Sequence, residues 1–209
     1  MKSYVLAATL LAASVVGPVS AATIANGDFE QTVVSGDFDT LGVGSSGLTG
    51  WNIVSGSIDH IGTYWDASSG NQSLDMSGAS AGAISQLLGG LIVGQLYEIF
   101  FDLAGNPDNV QGIKTLQVSV DPSTGSVVTY DFNTLGNTRS GGMDWQTEYF
   151  SFVATSTDAL LTFASLTNTA YGPALDNVGL AAVPLPAGAP LLLGGLAAFG
   201  ALRRRRRSI

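Results

Sequence analysis

A period of two residues in the apolar pattern constrains this sequence more than any other feature. Tyr97, Ile99, Phe101 and Leu103 interleave with Glu98, Phe100 and Asp102, and Leu116, Val118 and Val120 interleave with Gln117 and Ser119. Phe150, Phe152 and Ala154 repeat the pattern, as do Leu161 and Phe163 around Thr162. Successive side chains of an extended chain point to opposite faces, so each run is a half-buried strand. Shorter candidates lie at Trp51–Val54, Ser57–Ile61, Ser73–Met76, Ala83–Leu87, Val127–Phe132 and Leu175–Leu180. Turn residues separate them, as in Ser68-Ser69-Gly70-Asn71, Gly89-Gly90, Asp121-Pro122-Ser123-Thr124-Gly125 and Ser140-Gly141-Gly142. Between the chain ends nothing repeats with the 3.6-residue period of a helix. About ten short strands in this arrangement predict an all-β fold, an antiparallel β-sandwich or jelly roll. With no helical crossovers, a parallel sheet is disfavoured. Residues 23–182 show neither an internal repeat nor a composition shift and read as one domain.

Composition narrows the chemistry. The chain has no Cys, which excludes disulfide frames, thiolate metal sites and a Cys nucleophile. A single His, His60, excludes any site needing two imidazoles. All 16 acids lie between residues 23 and 182, where Lys114 and Arg139 are the only cations, a net charge of −14. Such a surface repels phosphate backbones, so no nucleic-acid partner is expected, while export and divalent cations suit it better.

The two ends read as addresses. Lys2 precedes an apolar run, Tyr4 to Val16, which Gly17 and Pro18 break before the small residues Ser20, Ala21 and Ala22. This is the layout of a signal peptide, residues 1–22, cut before Thr23. The run is shorter than the ~20 residues a permanent span requires. The C-terminal tail, residues 183–209, begins Val183-Pro184-Leu185-Pro186-Ala187, continues as an apolar segment within about 185–202, and stops at Arg203–Arg207. The five arginines are expected to stay on the cytoplasmic side of the inner membrane. That places the domain between the two ends outside the cytoplasm.

Several motifs are weighed for chemistry. Gly42-Val43-Gly44-Ser45-Ser46-Gly47 spells a dinucleotide fingerprint, but a strand and not a helix follows it, so a flexible loop is expected. His60 beside Asp59 suggests a general base; on a strand the two point to opposite faces, and a surface or turn histidine is the preferred reading. A glycosidase would need two carboxylates across a cleft, and 16 acids make some pairing unavoidable, so their number is uninformative.

Three constellations carry more weight. Asn26-Gly27-Asp28-Phe29-Glu30 opens the domain and Ala174-Leu175-Asp176-Asn177-Val178 closes it. First and last strands of a jelly roll commonly pair, which would bring Glu30 to Asp176. Close carboxylates call for protonation or a cation. A structural Ca²⁺ held by Glu30, Asp176 and Asp28 is therefore expected, the alternative being that these carboxylates cap turns. Tyr64, Trp65 and Asp66 lie in a Gly/Ser-rich loop, and an exposed ring there would stack on a sugar while Asp66 binds hydroxyls. The alternative is that Trp65 anchors the loop on the sandwich; Trp51, at the start of a strand, is expected in the core. Asn106 and Asp108, in Gly105-Asn106-Pro107-Asp108-Asn109, offer a binding loop or a second cation site, the alternative being a plain Asx-rich turn.

Two resemblances follow from these residues. The strings NGDFE at 26–30, GW at 50–51, SGSIDHIGTYWDASSGNQSLDMSG at 55–78, ISQ at 84–86, Y-x-x-x-F-D-L-A-G-N-P at 97–107 and YGPALDNV at 171–178 resemble the choice-of-anchor C family, related to the DUF642 domains of plant cell walls. That resemblance implies a galactose-binding-like jelly roll, non-enzymatic, in which a structural Ca²⁺ often sits near the first and last strands. The tail at Val183, Pro184, Leu185, Pro186 and Ala187 resembles the VPLPA variant of PEP-CTERM sorting signals. This second resemblance implies an exosortase-type processing enzyme as partner, transient anchoring in the inner membrane of a Gram-negative bacterium, and delivery to the cell surface or matrix; an unprocessed single-span anchor is the alternative. The combined expectation is an exported, non-catalytic module that binds surface or matrix polysaccharide weakly. Its alternatives are a structural or adhesive surface protein without a small ligand and, more remotely, a polysaccharide hydrolase or lyase.

Overall fold

A computed structural model of the chain describes residues 22–184 except 110 and 126. The expected signal peptide, apart from Ala22, and the expected tail beyond Pro184 lie outside the described residues. Among the described residues eleven strands form, in chain order: β1 (Phe38–Gly42), β2 (Asn52–Ser55), β3 (Ser57–Ile61), β4 (Ser73–Asp75), β5 (Ala83–Gly89), β6 (Leu96–Gly105), β7 (Ile113–Asp121), β8 (Val128–Asn133), β9 (Gln146–Val153), β10 (Asp158–Ser165) and β11 (Pro173–Ala182). The one helical element among the described residues is a 3-10 turn at Arg139–Gly141.

All strand pairs are antiparallel, in a six-stranded sheet ordered β1-β3-β4-β11-β6-β9 and a five-stranded sheet ordered β2-β5-β10-β7-β8. The predicted antiparallel β-sandwich is the fold found. The alternation decides which side chains meet between the layers. Ile99, Phe101 and Leu103 of β6, Leu74 of β4, Leu175 of β11 and Phe150 and Phe152 of β9 face Ile84 of β5, Leu161 and Phe163 of β10 and Leu116 and Val118 of β7, all buried. Rings tie the layers together: Phe29 to Trp51 at 5.8 Å, Trp51 to Phe163 at 6.1 Å, Phe163 to Phe101 at 5.3 Å and Phe101 to Tyr130 at 5.1 Å between centroids. Trp51 is in the core as expected.

Three expectations are corrected here. The first and last strands do not pair: β3 and β4 lie between β1 and β11. What meets β11 from the opening segment is irregular backbone, with the Val178 amide donating to the Gly27 carbonyl at 2.8 Å. Gly27 is required there, since a Cβ would fall 1.9 Å from the Val178 oxygen. Second, β1 was not foreseen, because its Phe38-Asp39-Thr40-Leu41-Gly42 segment is a largely exposed edge. Third, His60 is neither in a turn nor at the surface. It is 1% exposed in β3 with Nε2 hydrogen-bonded to the Phe29 carbonyl at 3.0 Å, and burial lowers its pKa. Asp59 instead accepts from Thr40 Oγ1 at 2.6 Å on the other face, so the two do not form an acid–base pair.

Candidate functional site

The outer face of the six-stranded sheet is not the solvated surface its alternation suggests. Asp102, between Phe101 and Leu103, and Asp176, beside Leu175, are register partners on that face, and both are buried. The β3–β4 connection, residues 62–72, folds back over them. Ser68 Oγ donates to Asp102 at 2.6 Å, and the Ser69 amide donates to Asp176 at 2.8 Å. Thr147 Oγ1 and Asn177 Nδ2 complete the Asp102 shell at 2.6 and 3.0 Å, and the Asn177 amide donates to Asp176 at 2.6 Å. Burial pushes the Asp176 pKa up to about 7 against these donors.

The same loop is gripped from the other side by the opening segment. Glu30 Oε1 accepts the Asn71 and Gln72 amides at 2.6 and 2.7 Å. Glu30 and Asp176 thus converge on one loop through neighbouring backbone amides. Glu30 Oε1 and Asp176 Oδ2 are thus engaged by backbone N–H groups of the loop. Asp28 is exposed, and among the described residues no three Asp, Glu or His side chains gather as a metal cage. The hydrogen bonds that Glu30 and Asp176 accept from the loop have the pattern of the alternative, carboxylates that cap backbone.

Trp65 lies under this loop. It is 4% exposed and its indole N–H donates to Ser73 Oγ at 2.9 Å, so it is the loop anchor and not a sugar platform. Its neighbour Tyr64 faces outward instead. Tyr64 forms one wall of a cleft of ≈610 Å³ that Trp65, Asp66, Pro107, Asp108, Asn137 and Arg139 also line. Tyr64 Oη donates to Asp108 Oδ2 at 2.5 Å. Arg139 Nε reaches Asp108 Oδ2 at 2.9 Å, and its guanidinium lies 4.0 Å from the Tyr64 ring centroid. Burial, then the Asp108 carboxylate, pushes the Tyr64 pKa up to about 12, so the phenol remains a donor. Trp145 donates to the Asp66 carbonyl at 3.1 Å and fixes that rim.

Of the five residues read as sugar contacts, Tyr64, Trp65, Asp66 and Asp108 do border one cleft, although Trp65 contributes from beneath. Asn106 does not. It is buried, donating through Nδ2 to Asp75 Oδ2 at 2.8 Å and accepting the Asp108 amide at 3.0 Å, which makes it the Asx turn of the alternative reading. Arg139 is the residue that sequence reasoning passed over. Its only signal was to be one of two cations in an acidic stretch.

A second, smaller hollow of ≈280 Å³ shares Tyr64 as a wall and is lined by Phe38, Thr40, Asp59, Asp75, Asn106 and Tyr171 among others. Asp59 and Asp75 are register partners, and burial pushes the Asp75 pKa up to about 7. This pair meets on paper the demand of a hydrolase for close carboxylates. Asp75 is nevertheless fully engaged: Oδ1 accepts the Ser77 and Gly172 amides at 2.9 and 3.0 Å while Oδ2 takes Asn106. It clasps three chain segments, and both of its oxygens are engaged by donors that belong to the fold.

Comparison with known proteins adds a family. The model described as "Protein of unknown function (DUF642)" matches residues 22–181. Halomucin of Haloquadratum walsbyi is 33% identical over 199 residues, covering 89% of this chain and 2% of that protein, so the chain spans only a small part of that relative. Similar solved structures include TmCBM61 in complex with β-1,4-galactotriose, at 16% identity and a TM-score of 0.49 over 78% of this chain and 100% of that one. The CBM22-1 xylan-binding domain of Paenibacillus barcinonensis Xyn10C has 14% identity and a TM-score of 0.45 over 73% of this chain and 100% of that one.

Proposed function

The chain belongs to the DUF642 family, and we propose that its sandwich is a non-catalytic polysaccharide-binding module working at the cell surface or in the extracellular matrix. The observation that carries this reading is the cleft beside Tyr64. It gathers a phenol, a guanidinium and carboxylates at an open surface of ≈610 Å³, forked polar groups of the kind that recognise sugar hydroxyls. The ion pair at its centre is part-exposed, so Arg139 and Asp108 exchange partners at little cost when hydroxyls arrive. Binding is weak, because a shallow site buries little area and the hydroxyls it covers were already hydrated.

The path of the chain supports display away from an anchor. Asp108 follows the last residues of β6, whereas Val183, where the chain leaves β11, is fastened beside the first, its amide donating to Leu96 at 2.9 Å. Ten residues of strand separate the two ends, about 30 Å. A sorted or membrane-held tail at residues 183–209 would thus leave the cleft pointing outward. Export through residues 1–22 and handling by an exosortase-type enzyme belong to the same proposal; mass spectrometry of the mature protein tests them, an intact Arg203–Arg207 block counting against processing.

For the cleft, the test is a polysaccharide array probed with the full chain and with Arg139→Ala. Retention of one or more glycans by the wild type, weakened about tenfold in the variant, is the expected result. Equal retention by both proteins would remove the cleft from binding. No retention on any glycan would favour the structural or adhesive alternative.

A further inference from the structure

The smaller hollow beside Tyr64 has what the main cleft lacks, an uncovered ring. In the cleft the Tyr64 face carries the Arg139 guanidinium. In the hollow Phe38 is 43% exposed, and it is held still by an edge contact with Tyr64, centroids 5.4 Å apart and planes at 81°. A ring fixed before binding loses little entropy when a ligand stacks on it. On the neighbouring strand, opposite Thr40 and diagonal to Phe38, stands Asp59, half-buried, whose Oδ1 accepts Thr40 Oγ1 at 2.6 Å. Its Oδ2 accepts no hydrogen bond from the described residues and can take a ligand hydroxyl. The hollow is bounded below by Asp75 and Asn106, both locked in the clasp, so its floor is rigid.

Charge selects the ligand. Asp37 and Asp39 flank Phe38, Asp59 lines the hollow and Asp66 the cleft. The cation of the cleft, Arg139, is already paired with Asp108. A uronic-acid chain would meet this field with like charge; an uncharged chain of hydroxyls would not.

Resting on the polysaccharide-binding reading, we propose that the Phe38–Asp59–Tyr171 hollow is a second sugar subsite. The cleft and the hollow together then grip consecutive units of a neutral polysaccharide on either side of Tyr64, and binding strengthens with chain length.

Calorimetric titration of the full chain tests this. The probes are neutral cello-, xylo- and galacto-oligosaccharides of one to six units, with oligogalacturonates of the same lengths as the acidic counterpart. At least one neutral series is expected to gain about tenfold or more in affinity between the shortest bound member and the hexamer. Phe38→Ala and Asp59→Asn, each checked for an unchanged melting curve, should abolish that gain while leaving the shortest bound member unaffected; Arg139→Ala should weaken every length. Two results overturn the second subsite while sparing the cleft: the same length dependence in Phe38→Ala as in wild type, or oligogalacturonates binding as tightly as neutral chains. Failure of every oligosaccharide to bind wild type would overturn the cleft reading together with it.

Discussion

Asp75 and Asp108 are joined by a single side chain yet serve opposite ends. Asn106 donates to the first and accepts the backbone amide of the second. Asp75 is 0% exposed and receives N–H donors from Ser77, Asn106 and Gly172, two of them backbone. Asp108 receives a phenol and a guanidinium, both side chains at an open rim. The difference lies in the donors. Backbone amides that belong to the fold cannot be released without unfolding it, whereas side-chain donors can turn to a ligand. A buried carboxylate bound by amides is therefore a structural clasp, and an exposed one bound by side chains is available for recognition.

The largest effect that could break this contrast is in stability. Asp75→Ala leaves three buried donors without acceptors and is expected to cost about 3–5 kcal/mol, seen as a large fall in the melting temperature or loss of folding. Asp108→Ala removes a part-exposed ion pair and should stay within about 1 kcal/mol of wild type while weakening glycan binding. Denaturant titration of both variants decides it. Similar losses in the two would show that Asp108 is as structural as Asp75.

A second effect concerns pH. The folded-state pKa of Asp75 and of Asp176 is about 7, above the ordinary value of 3.8, because burial disfavours the charge. The fold holds these protons more tightly than the unfolded chain does, so their contribution is full below the unfolded value and is lost as pH rises toward 7. His60 acts in the opposite sense. Its pKa is lowered by burial, so its contribution is full above 6.5 and declines below it. The two carboxylates are expected to outweigh the one imidazole, so the melting temperature should rise on going from pH 7.5 to pH 5.5. Melting curves across that range check it, and Asp75→Asn should flatten the trend. A domain that loses stability over that interval would show that the donors around Asp75 and Asp176 outweigh their burial.

These two aspartates also mark where the sequence stops being legible. The alternation that places Phe101 and Leu103 in the core assigns Asp102 to a solvated face, and the same logic holds for Asp75 beside Leu74 and Asp176 beside Leu175. Strand period reports which face a residue is on, and is silent on whether another segment covers that face. Over Asp102 and Asp176 it is the 62–72 loop, through contacts 34 and 107 residues apart in sequence; at Asp75 it is Asn106 and Gly172, 31 and 97 residues away. The strands themselves were readable from β2 to β11 because each has an apolar face to bury; β1 has an exposed edge and left no such trace. At the cleft, Tyr64 and Trp65 were readable as a special pair, but the alternation ends at Ile61 and no period says which ring turns inward. Arg139 meets Asp108 from 31 residues away, a contact that only the folded loops create.

The smallest expected effect is that of calcium, and it sharpens the contrast from the side of the clasp. Glu30 and Asp176 hold the Ser69, Asn71 and Gln72 amides, the same kind of donor that engages Asp75. A cation placed between them would compete with those amides for the same carboxylates. Excess chelator should therefore leave the melting temperature unchanged within about 1 °C, since only a ligand bound to the native state can shift it. Glu30→Gln separates the two cases further. A glutamine keeps the Oε1 acceptor for both amides, so the loss should stay near 1 kcal/mol, the worth of exchanging a charged acceptor for a neutral one. A cation site would lose a charge and a ligand by the same substitution. A marked fall in both experiments, reversed by added Ca²⁺ in the wild type alone, would mean that the loop is held by a metal and that amide capping is not what distinguishes this clasp.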